Sequence, residues 1–272
     1  MHKMNTHITV REGTTVPGGT QSLQRAMALV QALTRNQRKG GTAAQLAIAT
    51  GIDRSTAHRM LQCLAASELL HFDTVTRKYH FGRLAHEIGF AASEHVDFTG
   101  LSKPALARIS EDTGDTVFLM MRSGDDAVCA DRYLGVYAVQ PLAVTVGTRR
   151  PLGIGCGSLA MLSSLPPHVA DLCLHQNEPR IAAFDGMSVE RIQSMLQVAR
   201  SNGYVAMDVI NVSCARSVSA PVISKTGRPV AALSVSGMAA RMSTEREQAL
   251  GHILQTEAKA LGKAFDERFA TV

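Results

Sequence analysis

Apolar positions along this chain of 272 residues follow a helical rhythm first and an alternating one later. In "SLQRAMALVQALT", residues 22–34, Leu23, Met27, Val30 and Leu33 form a stripe, with Ser22 as a plausible N-cap. "RNQRKGG" breaks the pattern. "TAAQLAIAT" then opens on Thr42 and Gln45, a Thr-x-x-Gln capping box, and closes at Gly51. A further helix begins at Asp53 or Arg54 and puts Ala57, Met60, Leu61 and Leu64 on one side. Helix, short glycine-containing turn, helix predicts a helix-turn-helix. "LLHFDTVTRKYHFG" alternates weakly around "DTVT", so a two-stranded hairpin is expected from about Leu70 to Phe81.

Beyond it, "GRLAHEIGFAASEHV" reads as a bridging helix with Leu84, Ile88 and Ala91 or Ala92 on one face. "SKPALARISEDTG" predicts a helix starting near Pro104 and ending at Gly114. The period then shortens to two. "DTVFLMMRSGDDAVCADRYLG" gives two strands about "SGDD", and "AVQPLAVTVG" predicts another. "CGSLAMLSSLP" is expected to be a helix from about Gly157, and "ARSVSAPV" and "AALSVSG" read as strands.

The polar side of the Arg54 helix now acquires a meaning. Ser55, His58, Arg59 and Gln62 lie opposite the apolar stripe, with Arg54 and Thr56 near the helix start. The second helix of such a motif enters the major groove. Arg59 can take a guanine edge and Gln62 an adenine edge, while Ser55 and His58 reach a base or a phosphate. Arg77 and Lys78, just past the hairpin tip, suit the phosphate backbone. The alternative for this helix is a merely solvated surface.

Charge sharpens the division. The chain carries +5 overall. Residues 1–82 hold ten Lys and Arg against four Asp and Glu, so the remainder carries −1. The basic bias belongs to the N-terminal third, which predicts two domains with different partners. No Trp and 4% aromatics argue against a stacking platform for single strands. The first stretch lacks the apolar centre of a secretion signal, residues 1–19 read as a disordered tail, and no apolar run is long enough for a membrane span. Five scattered cysteines without a C-x-x-C pair or metal-ligand spacing predict reduced thiols in a cytoplasmic protein, with no metal and no cofactor.

The glycine-rich "TRRPLGIGCGS" has the wrong spacing for a dinucleotide fingerprint and lacks the Lys of a P-loop. An elbow centred on Ser158 has small neighbours but no His in a motif that would mark a base. The backbone N–H groups at the start of the Gly157 helix suit a carboxylate; alternatively the glycines only permit close helix–sheet packing. Ser217 with Ser219, and Ser234 with Ser236, share one strand face each, which predicts a polar-lined pocket unless these strands face water.

"SLQRAMALVQAL", "GTAAQLAIATGIDRSTAHRMLQCLAASELL" and "RKYHFGRLAHEIG" resemble the N-terminal domain of IclR-type transcription regulators. The resemblance continues through "KPALARISEDTGDTVFLMM", "GTRRPLGIGCGSLAML", "NGYVAMDVI" and "APVISKTGRPVAALSVSG", covering roughly residues 20–268. It implies an α+β chain: a winged helix-turn-helix, a linker helix, and a C-terminal GAF-like effector-binding domain with an antiparallel sheet. It implies dimers or tetramers, repressors more often than activators, and small organic or aromatic acids as effectors. The pocket it implies is lined at Gly155, Cys156, Asp208, Ser217, Ser234 and Ser236. This chain departs from the pattern where Gly-Lys-Ala is usual, having Gly157-Ser158-Leu159, and where a glycine is usual after Asp208, having Cys214.

The expected organisation is therefore a tail at 1–19, the DNA-binding domain at 20–82, the linker helix at 83–97 and the effector domain at 98–268. The expected function is a ligand-responsive regulator that binds double-stranded operator DNA and a small carboxylate-bearing effector. The carboxylate would take N–H groups near Gly155 and Cys156 plus serine hydroxyls, and Asp208 would accept a ligand hydroxyl or hold a water. The alternatives are a ligand-binding or interaction protein outside transcription, and a hydrolase-like enzyme using Ser158.

Overall fold

The computed structural model describes residues 20–35, 39–95, 97–142 and 144–269. The predicted tail lies outside them. The chain divides after residue 96 into two compact units.

In the first unit, α1 (Gln21–Thr34), α2 (Ala43–Thr50) and α3 (Arg54–Ala66) precede the hairpin β1 (Leu70–Asp73) and β2 (Lys78–Phe81), and α4 (Arg83–His95) follows. The α1 helix starts two residues earlier than predicted, after Thr20 rather than Ser22. Its buried face also differs from the expected stripe. Leu29, Ala32 and Leu33 are buried, whereas Leu23 and Met27 are 63% and 48% exposed. Two apolar stripes share this helix, and only one meets the core built from Leu46, Ala57, Leu61, Leu70 and Tyr79. At α2 the reciprocal box forms: Gln45 N donates to Thr42 Oγ1 and Thr42 N to Gln45 Oε1 at 3.0 Å. Gly51 ends the helix in the left-handed region at φ 67. The hairpin is held to the segment before α2 by paired bonds between Gly41 and Tyr79.

The second unit opens with α5 (Phe98–Thr113), six residues before the predicted start. Asp97 caps it by accepting from Gly100 N at 2.6 Å, Phe98 is buried, and Pro104 lies inside the helix instead of opening it. A six-stranded antiparallel sheet follows in the order β5-β4-β3-β8-β7-β6. Its strands are β3 (Thr116–Ser123), β4 (Asp126–Tyr133), β5 (Arg149–Pro151), β6 (Val205–Asp208), β7 (Ala215–Ile223) and β8 (Pro229–Met238). The strand expected in "AVQPLAVTVG" is absent among its described residues. Gly147 and Thr148 bond to β4 through Cys129. Pro141 has no N–H for a ladder, and the chain becomes a strand only at Arg149.

Alternation sorts the sheet. Val117, Leu119, Val218, Ala220, Leu233 and Val235 face α5 and α9 (Thr244–Phe269). Phe118, Met120 and Ala232 face α6 (Cys156–Ser163), α7 (Pro167–Ile181) and α8 (Val189–Asn202). Layers of helix therefore cover both faces, each with its own core. Two buried carboxylates join elements at the edges. Asp115 pairs with Arg241 at 2.6 Å and Arg246 at 2.9 Å, tying the start of β3 to α9. Asp126 takes Arg149 and Arg180.

Candidate functional site

On α3 the sequence makes its own start. Asp53 Oδ1 accepts from Ser55 N at 2.9 Å and Thr56 N at 3.2 Å, which satisfies amides that a helix start otherwise leaves open. Ser55 Oγ also donates to that oxygen, at 2.6 Å. These bonds, the Ser55 hydroxyl foremost, hold the Asp53 carboxyl below its ordinary range. Ser55 is thus part of the cap, and its proton is committed before any phosphate arrives. Arg54, His58, Arg59 and Gln62 are exposed on the outer face, and Thr56 is half-buried. Ala57 and Leu61 anchor the opposite side.

The hairpin tip is fixed in the same manner. Asp73 Oδ1 accepts from Val75 N at 2.8 Å, and Thr76 Oγ1 donates to Asp73 Oδ2 at 2.6 Å. The turn therefore consumes the one acidic side chain of the hairpin. Arg77 takes a left-handed φ of 57, and its guanidinium stands 5.4 Å from the Phe72 ring centre. Lys78 opens β2.

In the second unit, a cleft of about 500 Å³, solvent at its mouth included, lies between α6 and the sheet. All six residues expected to line a pocket, Gly155, Cys156, Asp208, Ser217, Ser234 and Ser236, line this one. Register explains the gathering. Ser217 pairs with Ser236 and Ser219 with Ser234, and the row continues to Thr116 and Phe118 of β3. The serines do not face open water: Ser234 and Ser236 are 4% and 5% exposed.

The α6 helix begins after Gly155, whose φ of 95 no β-carbon would tolerate easily. Gly157 has a different task. A β-carbon there would meet Met120 Cγ and Ser234 Oγ, each at 2.7 Å. Close packing and an open helix start are therefore both present, at neighbouring glycines. Ser158 is 1% exposed, accepts from Gly153 N at 2.9 Å and donates to Pro151 O at 3.1 Å. Its hydroxyl holds the turn before α6, which removes it as a nucleophile. Cys156 points its thiol into the core, at Ser217 O (3.2 Å) and Val205 O (3.4 Å). Burial pushes that thiol up to about 12.

Hydroxyl directions in the serine wall change what it can do. Ser234 Oγ donates to Ser219 Oγ at 2.8 Å, and Ser219 Oγ donates to Leu233 O at 2.8 Å. Ser236 Oγ donates to Ser217 Oγ at 2.9 Å, which donates to Val235 O at 2.9 Å. Each chain of protons ends on a backbone carbonyl. The wall presents lone pairs, not the donors expected for a carboxylate. Asp208 sits at the mouth, its side chain 80% exposed, with Oδ1 accepting from Arg216 at 2.9 Å. Arg216 also pairs with Glu247 of α9.

Sequence reasoning missed Arg150, which lines the cleft. Alternation along β5 sends Arg149 to Asp126 and its neighbour to the other side. Its guanidinium lies 5.9 Å from the Phe184 ring centre, and burial holds it below the usual guanidinium range. The signal was the pair of arginines just before Pro151 on an alternating segment.

Among the described residues no group of His, Cys, Asp and Glu could hold a metal ion, and no helix is long and apolar enough to cross a membrane. Residues 90–263 match the family described as bacterial transcriptional regulator IclR C-terminal, and residues 22–74 match the IclR helix-turn-helix domain. Among curated proteins, the chain is 26% identical over 249 residues to the HTH-type transcriptional repressor AllR of Klebsiella pneumoniae, covering 90% of each. Among solved structures, an IclR transcriptional regulator from Silicibacter sp. TM1040 superposes with TM-score 0.77 at 17% identity, over 90% of this chain and 96% of the other. An IclR homolog from Microbacterium hydrocarbonoxydans, solved with 4-hydroxybenzoate, gives TM-score 0.64 at 20% identity, over 89% and 99%.

Proposed function

The chain belongs to the IclR family of bacterial transcriptional regulators, and from that premise we propose that it is a repressor released from, or retuned on, its operator by a small organic acid. The observation that carries the DNA half is the outer face of α3. Four long or ring-bearing polar side chains, Arg54, His58, Arg59 and Gln62, stand exposed on a helix capped at its own start. In this role Arg59 and Gln62 read base edges. Arg54, Thr56, Arg77 and Lys78 position the backbone, and Ser55 contributes chiefly through the cap. The division into a DNA-binding part at 20–82, a linker helix at 83–97 and an effector part at 98–268 belongs to this reading.

A protein of this design works as a dimer, or as a dimer of dimers. Two reading helices must meet successive major grooves roughly 34 Å apart. On α4, Ile88 and Phe90 are 53% and 68% exposed, which supports this helix as a meeting place of subunits. The effector sits in the cleft at Gly155, Cys156, Asp208, Ser217, Ser234 and Ser236, with its carboxylate at the start of α6. The 4-hydroxybenzoate bound by the Microbacterium hydrocarbonoxydans homolog belongs to the same chemical class. The test is selection of duplexes from a random pool, followed by gel shift. Recovery of a pseudo-palindromic site supports the regulator. Binding with no preference among duplexes removes it.

A further inference from the structure

The cleft contains one cationic side chain and one wall of oxygens whose protons are already assigned. Arg150 Nη1 lies 3.6 Å from where a β-carbon on Gly155 would stand, so the guanidinium flanks the open start of α6. Ser234 Oγ lies 2.7 Å from where a β-carbon on Gly157 would stand, on the first turn of the same helix. The cleft is also lined by the apolar Phe118, Met120, Val144 and Ile154, with Asp208 at its mouth. A guanidinium offers a planar fork of donors and accepts nothing. Oxygens that already donate to Ser219 and Ser217 offer the reverse. An acid held by the serines alone would set its lone pairs against theirs. Both serines are more than nine-tenths buried, where such opposition is not relieved by water.

We propose that the cleft reads a hydroxy acid by two unlike groups: Arg150 with the α6 amides takes the carboxylate, and the Ser234 and Ser236 oxygens accept a hydrogen bond from the ligand's own hydroxyl. The inference rests on the effector reading above and adds the polarity of the ligand to it. Arg150 is the residue that separates an acid from its amide. The serine pair separates the hydroxylated acid from its deoxy counterpart.

The experiment uses the full chain and two sets of probes by calorimetry: 3-hydroxybutyrate, butyrate and 3-hydroxybutyramide, and 4-hydroxybenzoate, benzoate and 4-hydroxybenzamide. In at least one set the hydroxy acid binds, and both its relatives bind about tenfold more weakly or worse. Arg150→Gln lowers affinity for that acid by about 10- to 100-fold, as expected for a lost charged hydrogen bond, and abolishes the preference over the amide. Arg150→Lys keeps the charge without the fork and falls between the two. Unchanged acid affinity in Arg150→Gln overturns the assignment, as does a deoxy acid that binds as well as the hydroxy acid, or no binding of either hydroxy acid at millimolar concentration. Should Arg150→Gln not fold, the wild-type comparison of acid with amide decides alone. Sequence-specific operator binding by the wild-type chain is measured separately, so an intact gel shift with no acid bound rejects this inference and spares the regulator.

Discussion

Arg59 and Lys78 differ in what their loss removes. An arginine that meets a base edge carries sequence preference, so Arg59→Ala is expected to cost about 1–3 kcal/mol of specific binding and to relax one base pair per half-site. A lysine on a phosphate carries none. Lys78→Ala weakens binding to every duplex and lowers the salt slope by about one. Competition gel shifts across a salt series distinguish the two, and unchanged discrimination in Arg59→Ala would displace the reading helix from α3. At this scale legibility followed regularity. The serine pairs were readable because strand alternation and pocket lining coincide at Ser217, Ser234 and Ser236. Their proton directions were not, because these depend on the cross-strand register of β7 with β8. Arg150 escaped because the strand that aims it is three residues long.

Among the elements, the two capped helices of the reading motif yield separate measurements. Thr42→Ala removes one partner of the reciprocal box on α2 and is expected to lower stability by about 1 kcal/mol, visible in chemical denaturation. Asp53 acts through its charge. Its carboxyl is held below the ordinary aspartate range by the Ser55 and Thr56 bonds, so its contribution is complete above that range and fades as pH falls through the lower folded value. Acid titration of Asp53→Asn against wild type should show the two curves converging at low pH; a constant gap would deny the cap its charge. Each element that differs from its sequence expectation has its own physical cause. In α1 two apolar stripes competed, and packing against α2 and α3 chose Leu29 and Leu33. Among the described residues of 138–147 the alternation forms no strand, and Pro141 offers no N–H for a ladder. At α5 the proline looked like a helix start, while the true start was set by Asp97 and a buried Phe98.

For the whole molecule, the fold class was legible because a helical start with one short hairpin gives way to a remainder in which alternating strands are interleaved with helices. Assembly is the property to test here. If α4 joins subunits, Ile88→Lys removes an apolar contact worth about 1.5 kcal/mol or more, roughly tenfold in the dimer Kd, and sedimentation equilibrium reads it directly. Unaltered dimers would move the interface elsewhere. On the proposed reading, effector and operator are linked in both directions, since a ligand shifts a population only by its differential affinity. The cysteines offer a way to watch that shift. Burial pushes the thiols of Cys129 to about 11 and of Cys156 and Cys173 to about 12. Cys63 on α3 and Cys214 beyond Asp208 are exposed. A maleimide dye at neutral pH should therefore label two positions per chain, one on each unit, leaving the pocket chemically untouched. The natural sequence thus carries its own molecular ruler: donor and acceptor fluorophores on Cys63 and Cys214 convert any rearrangement between reader and sensor into energy transfer.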